Sequence, residues 1–272
     1  MAAQMFKLPF LFTFYVLLPA WGAFESVPIG GKTIGMGHAV MATAEGPESV
    51  FSNPAGLAFA DGVSFTISFS RLYEIEDLDS WGAAGLVPWG RIRFGLGCRC
   101  FGNKVYRESA WHACISSVFI KQMAFGAQIR LLQLDILHYG SARTAVWDAG
   151  FSLRVNPRLN WGLSIFNVLD QTIGRRHEKL PRSFRTGIGW TPLSKCLCSL
   201  EFGKEGSFPV QMSAGIELAA ASALKIRTGF QNNPLSVSFG FGLSWKNRTL
   251  DWGASVHPVL GVTQTLTLAF KP

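Results

Sequence analysis

The sequence predicts an all-β protein: a transmembrane antiparallel β-barrel of about fourteen strands, preceded by a short helical N-terminal plug. Three observations carry this reading. Only 15% of the 272 residues are charged while 48% are hydrophobic, against about 25% charged in ordinary soluble domains. The chain holds 29 glycines, spread along its length, which excludes a mainly helical fold, and no apolar run after residue 23 approaches the roughly 20 residues a membrane helix needs. From Val63 onward, apolar and small or charged residues alternate with period two, segment after segment. Low charge and 13% aromatics also exclude disorder.

The first element is a leader. Lys7 is followed by LPFLFTFYVLLPA at 8–20 and then Trp21, Gly22 and Ala23, the basic, apolar and small-residue order of a secretory signal peptide. Cleavage is expected after Gly22 or Ala23, so residues 1–23 are the signal peptide. Residues 24–62 form the plug segment, and the barrel occupies 63–272. The cleavage point has no cysteine, which argues against a lipoprotein.

The strands follow. Residues 91–101 read RIRFGLGCRCF, with Ile92, Phe94, Leu96, Cys98 and Cys100 on one parity and Arg91, Arg93, Gly95, Gly97 and Arg99 on the other. Residues 235–245 repeat the pattern, Leu235, Val237, Phe239, Phe241, Leu243 and Trp245 alternating with serines and glycines. Strand side chains alternate faces, so each segment has one apolar face for lipid and one small or charged face for a lumen. Fourteen such segments start near residues 63, 81, 91, 109, 122, 145, 159, 182, 195, 209, 222, 234, 248 and 262; leaving out the two weakest gives twelve. Each is about the 9–11 residues a tilted membrane strand requires.

The connections are predicted to alternate in length, as in outer-membrane barrels. Short inner turns fall at 88–90, Lys121, 156–158, 192–194, 220–221 and 246–247, and the longer outer connections include 71–80, 102–108, 136–144 and 169–181. The seven prolines from Pro88 to Pro258 fall in these connections, as sheet ladders demand. Eight of the nine tryptophans lie in the barrel region, mostly near strand ends, where an aromatic girdle belongs.

Two end motifs carry a resemblance. Residues 35–59, GMGHAVMATAEGPESVFSNPAGLAF, resemble the N-terminal signature of FadL/PorV-like outer-membrane barrels. Residues 251–270, DWGASVHPVLGVTQTLTLAF, look like the closing hairpin of the PorV/PorQ branch. Between them, LPRSFRTGIGW at 180–190, SAGIEL and RTGF fall in the same order, so the resemblance spans nearly the whole mature chain. It implies a bacterial outer membrane, with outer-membrane lipid as partner, and two function classes. One is passage or binding of small hydrophobic molecules, as in FadL-like proteins, with an apolar pocket beside the plug and a lateral opening between strands. The alternative is a PorV/PorQ-like accessory role in secretion or surface assembly, with secretion-system proteins as partners and no ligand cavity.

The candidate site residues come from these motifs and from parity. Gly35, Gly37, Asn53, Pro54, Ala55 and Gly56 form the plug motif; residues 35–45 are expected as a short helix inside the barrel, with Pro54 turning the chain into the first strand. His257, Pro258, Leu260, Gly261 and Thr263 form the closing hairpin. Parity places Arg185, Glu201, Glu217, Lys225, Arg227 and Asp251 in the lumen, together with Arg91, Arg93, Arg99, Arg130, Arg154 and Asp148. Opposite charges are expected to pair there, Arg185 with Glu201 and Glu217 with Lys225, because an unpaired charge in a narrow lumen is costly.

Other patterns point nowhere chemical. Cys98, Cys100, Cys196 and Cys198 share parity with leucine and phenylalanine and are expected against lipid as small hydrophobes; a zinc site wants wider cysteine spacing and a closed pocket. Gly30-Gly31-Lys32-Thr33 imitates a phosphate loop, but Ser26 stands where that motif requires glycine. The histidines have no nucleophile or acid at a spacing that suggests a triad. Basic residues are interleaved with lipid-facing positions and form no nucleic-acid patch. The expectation is a non-enzyme with no catalytic residue, no metal, no cofactor and no nucleic-acid partner.

Overall fold

Because one face of every segment is apolar and the other small, the strands can close only by turning the small face inward. The computed structural model, which describes residues 23–25, 29–120 and 122–272, shows that closure. In chain order the strands are β1 (Ser64–Arg71), β2 (Asp79–Trp89), β3 (Ile92–Gly102), β4 (Tyr106–Ile120), β5 (Met123–Ile136), β6 (Gly140–Asn156), β7 (Leu159–Phe166), a two-residue pair β8 (Thr172–Ile173) and β9 (Glu178–Lys179), β10 (Ser183–Leu193), β11 (Cys196–Glu205), β12 (Gln211–Ala219), β13 (Leu224–Asn232), β14 (Leu235–Trp245), β15 (Arg248–His257) and β16 (Gly261–Phe270). All but β8 and β9 join in one closed antiparallel barrel of fourteen strands, each paired with its neighbour in sequence. β1 and β16 close it, in register from Phe65 opposite Phe270 to Arg71 opposite Gln264.

The outside is the apolar face. Phe65, Ile67, Trp81, Leu96, Trp111, Leu131, Ile216 and Phe239 are among many large apolar side chains left exposed around the wall. Inside, β1 and β16 present hydroxyls: Ser68 and Ser70 bond Thr267 and Thr265 at 2.8 and 2.7 Å. An apolar belt around a polar interior is the arrangement of a membrane-spanning barrel. Among the described residues no helix is long and apolar enough to cross a membrane; the strands make the crossing.

The structure corrects several local expectations. β4, β5 and β6 run 15, 14 and 17 residues, so the loops expected at 102–108 and 136–144 shrink to 103–105 and 137–139. Glu108 therefore sits in the wall and is buried, where the sequence suggests an outer loop. Pro88 and Pro192 lie inside β2 and β10 near their ends, and Pro192 falls in a register shift between Trp190 and Leu193, a place where a missing N–H is tolerated. Lys121, expected in a turn, and residues 1–22, expected to belong to a signal peptide, lie outside the described residues.

Residues 29–60 occupy the lumen, but not as the helix expected over 35–45. Among the described residues the one α-helix, α1, is Gly31–Gly35. After it the chain turns with positive φ at Gly37 (61°) and His38 (72°), then forms 3-10 turns at Pro47–Phe51 and Pro54–Phe59. Pro54 thus opens a 3-10 turn and does not lead directly into β1. The reason is geometric: the left-handed backbone at Gly37 and His38 cannot continue a right-handed helix, and the chain follows the curved wall instead.

Candidate functional site: a filled lumen with a cavity above it

The wall accommodates the inner segment by omitting side chains. Four pairs of directly opposed glycines face inward: Gly126–Gly150, Gly162–Gly187, Gly215–Gly229 and Gly240–Gly253. A Cβ at Gly229 would collide with Gly37 N, one at Gly215 with Met36 O, one at Gly253 with Gly31 O, and one at Gly162 with Met41 O. Each pair opens a shelf on which the inner chain's backbone rests against the strand backbone. Of these eight, the sequence pattern placed only Gly240 on a small face; the signal that could have found the rest is the recurrence of glycine on the inward parity of successive strands.

The plug motif supplies the fastening. Asn53 is buried and donates from Nδ2 to Met41 O at 3.0 Å and to Phe151 O of β6 at 3.1 Å, while its Oδ1 accepts from Ala55 N at 3.1 Å. One amide therefore caps the turn it precedes, ties two parts of the inner chain together and joins them to the wall. Ser116 Oγ donates to Ala55 O at 3.3 Å. Gly56 has no room for a Cβ beside Ala44 O, and Gly35 lies against Gly240.

The lumen charges come together in groups. Arg227 lies between Glu217, at 2.7 Å, and Asp251, while Lys225 reaches the other oxygen of Glu217 at 2.9 Å. Arg185 bridges Glu201 at 3.7 Å and Glu205 at 3.6 Å, and Glu201 accepts from Val40 N at 3.0 Å and Met41 N at 2.9 Å. The carboxylate thus ties the wall to the inner chain. Arg130 pairs with Asp148 at 2.5 Å, and Asp148 also receives Gln128 Nε2 and Asn167 N. Toward the turn end, Arg93 donates to Ala60 O at 3.0 Å and Arg154 pairs with Glu45 at 2.7 Å. Arg91 lies exposed in the β2–β3 turn, outside the lumen where parity had placed it, because the strand ends first.

Two groups on the inner chain titrate abnormally. Burial, reinforced by Asp251 and opposed by Lys32, Arg227 and a Thr66 hydrogen bond, pushes the Glu48 carboxyl up to about 7. Burial, with Arg185 nearby, holds the His38 imidazole down to about 4.

Between the inner chain and the loop end lies a cavity of about 770 Å³. Its floor is Ile29, Thr33, Val40, Met41 and Phe51 of the inner chain; its sides include Leu72, Tyr73, Phe101, Tyr106, Phe166 and Phe208, with the Arg185–Glu201–Glu205 group and Gln211, Gln231 and Asn233 on one side. The size falls within the range of small-molecule sites, and an aromatic lining with a few polar groups is their usual chemistry. Two features here were not legible in the sequence. Glu108 Oε1 accepts from Phe24 N at 2.9 Å and Tyr106 Oη at 2.7 Å, and Arg99 lies 3.7 Å from its Oε2. Phe24 packs with Ala110, Leu132, Leu134, Val146, Ile173 and Leu180, sealing the tall β4–β6 wall.

The closing hairpin sits at this same end. His257 ends β15 and Gly261 (φ 99°) begins β16; the His257 Nδ1 accepts from Val259 N at 3.2 Å and Leu260 N at 3.0 Å, holding the turn through Pro258. Thr263 Oγ1 accepts from Tyr73 N at 3.2 Å, so the hairpin positions the cavity's Tyr73. The four parity-assigned cysteines carry free thiols, with Cys98 and Cys100 exposed, Cys196 and Cys198 half-buried, and Cys114 buried in the lumen face. Among the described residues no cluster of three or more metal-ligating side chains occurs.

No protein-family profile matches the sequence, and no curated protein matches it. Solved structures share its fold. The toluene transporter TbuX of Ralstonia pickettii superposes with a TM-score of 0.67 at 13% identity, covering 89% of this chain and 98% of that one. The CymD monoaromatic hydrocarbon channel gives 0.70 at 11% identity, covering 92% and 99%. A FadL homologue of Pseudomonas aeruginosa gives 0.66 at 10% identity, covering 90% and 99%. The chain therefore shares the fold of these solved proteins.

Proposed function

We propose that this chain is an outer-membrane channel that binds and passes small hydrophobic molecules, without catalysis. The observation that carries the reading is the aromatic-lined cavity of about 770 Å³ held between the inner chain and the loop end of a closed membrane barrel. An accessory protein that only docks partners needs no such space. The fold it shares with hydrocarbon channels supports the same reading.

Entry is from the loop end into the cavity, where apolar contact holds the molecule and Arg185, paired to both Glu201 and Glu205, presents little free charge to repel it. The exit we assign is lateral. β7 stops at Phe166, so β6 above Trp147 has no strand on that side; residues 167–182, with the β8–β9 pair, cover the gap. Val168 N donates to Trp147 O at 2.8 Å, and that loop shifts to open the wall beside the cavity.

Gly203 tests the reading. It lines the cavity, and a Cβ there meets nothing nearer than Gln211 Oε1 at 3.5 Å. Gly203→Leu should fold normally, fill the space and lower uptake of a radiolabelled monoaromatic hydrocarbon about tenfold in cells whose own hydrocarbon channels are deleted, the size expected where about 1.4 kcal/mol of binding is lost. Undiminished uptake by a variant with normal heat-modifiability overturns the proposal.

A further inference from the structure

The two ends of the barrel carry different charge. The connections at the loop end hold five bases (Lys104, Arg175, Arg176, Lys179 and Arg182) and five acids (Glu74, Glu76, Asp77, Asp170 and Glu178). The described connections at the turn end hold Arg91, Arg158, Lys195 and Lys246, with no acid in any of them. Arg248, at the start of β15, and Lys271, after β16, extend the set. All six are exposed, and among the described residues none is paired with a carboxylate. The acids in the chain leading to this end are Glu45 and Asp61, and Glu45 is already held by Arg154.

Their height is as regular as their sign. Trp89 precedes Arg91, Val155 precedes Arg158, Leu193 precedes Lys195, Trp245 precedes Lys246 and Phe270 precedes Lys271, each the last large apolar side chain before the base and each within three residues of it. Trp89, Leu193 and Trp245 are 75%, 69% and 67% exposed. Arg248 lies 5.9 Å from the Trp245 ring and 5.8 Å from the Phe270 ring, its charge at the edge of the apolar belt. A cation just past a lipid-facing aromatic sits at the depth of the phosphates, where long basic side chains extend from apolar stems to a polar surface.

We infer that the turn-end rim is a binding belt for the anionic phospholipid headgroups of the leaflet it meets. Bases at the β2–β3, β6–β7, β10–β11 and β14–β15 turns and after β16 are spread around the barrel and match a plane of charge, which a leaflet offers and a docked protein does not. The belt fixes the barrel's depth and gives its two ends different lipid preferences, the balanced loop end having none for anionic headgroups.

The test uses the refolded full barrel in vesicles and the fluorescence of its tryptophans, of which Trp89, Trp190 and Trp245 lie near the rim. Brominated phosphatidylglycerol should associate about fivefold more strongly than brominated phosphatidylcholine at low salt, as expected for attraction by several surface bases. The ratio should fall to about one in roughly 1 M salt, where screening is short-ranged, and should be unmoved by inorganic phosphate at fixed ionic strength, which separates headgroups in a leaflet from a free anion site. The variant R91Q/R158Q/K195Q/K246Q/K271Q should lose the preference, and the loop-end variant K104Q/R175Q/R176Q/K179Q/R182Q should keep it. A wild-type ratio near one at low salt, or loss of the preference in the loop-end variant, overturns the inference. If the turn-end variant does not form a barrel, the wild-type salt series and the loop-end variant decide the matter.

Discussion

Gly37 and Gly229 meet backbone to backbone: the amide nitrogen of Gly37 occupies the place where a Cβ at 229 would have to be. The contact joins the inner chain to β13 at a point where φ at Gly37 is 61°, a conformation that side chains rarely adopt. Neither residue can be changed without moving the other.

Gly229→Val should therefore displace the inner chain while leaving the strand ladder, built from backbone hydrogen bonds, intact. The expected outcome is a barrel that still shows its heat shift on gels but conducts ions at least several-fold more in planar bilayers. Gly85→Val is the control, since a Cβ at Gly85 meets only Ser64 O at 4.0 Å. Equal conductance for the two variants would show that the glycine shelf does not hold the segment.

Arg227 is the hub of the Glu217–Arg227–Asp251 group. Arg227→Gln leaves Asp251 unpaired in the lumen, and removing one side of a buried pair costs about 3–5 kcal/mol. Arg143→Gln, at an exposed position on β6, should cost less than about 1 kcal/mol. Glu108→Lys should behave like a lumen change, because it breaks contacts to Phe24, Tyr106 and Arg99 together. Urea midpoints in detergent, compared across the three, check the ranking.

Glu48 and His38 give the seated segment a pH window. Glu48 holds its proton more tightly folded (about 7) than unfolded (4.5), so its contribution is full below about pH 4.5 and is lost as pH rises through 7. His38 is depressed from 6.5 to about 4, so its contribution is full above about pH 6.5 and is lost as pH falls through 4. Glu48→Gln should match wild-type stability at pH 4 and exceed it by up to about 3 kcal/mol at pH 8. A stability difference that does not change between those pH values would remove Glu48 from the explanation.

Cys98, Cys100, Cys196 and Cys198 alternate with inward residues of β3 and β11, which puts their thiols against lipid, while Cys114 is buried. In intact membranes a water-soluble maleimide should leave all five unmodified, and a membrane-permeant one should reach the outer four. Labelling of those four by the water-soluble reagent would contradict the register of both strands.

The sequence by itself determined a closed barrel of about fourteen strands, the approximate strand starts and the face that most strand residues occupy. Those properties are local: side chains alternate with period two whatever the neighbours are, so Leu96 and Arg99 could be assigned before any pairing was known. Arg185 with Glu201 and Glu217 with Lys225 were legible for the same reason, since parity and the order of adjacent strands bring them together. Only the tertiary structure decided how far β4–β6 continue, that Glu108 is buried under Phe24, that the Gly35–Glu45 stretch is not a helix, and that an aromatic cavity remains above it. Each of these depends on what stands opposite once the barrel has closed. A glycine such as Gly229 reads in sequence as merely small, and its role exists only because ring closure brings Gly37, far away in the chain, onto its bare backbone.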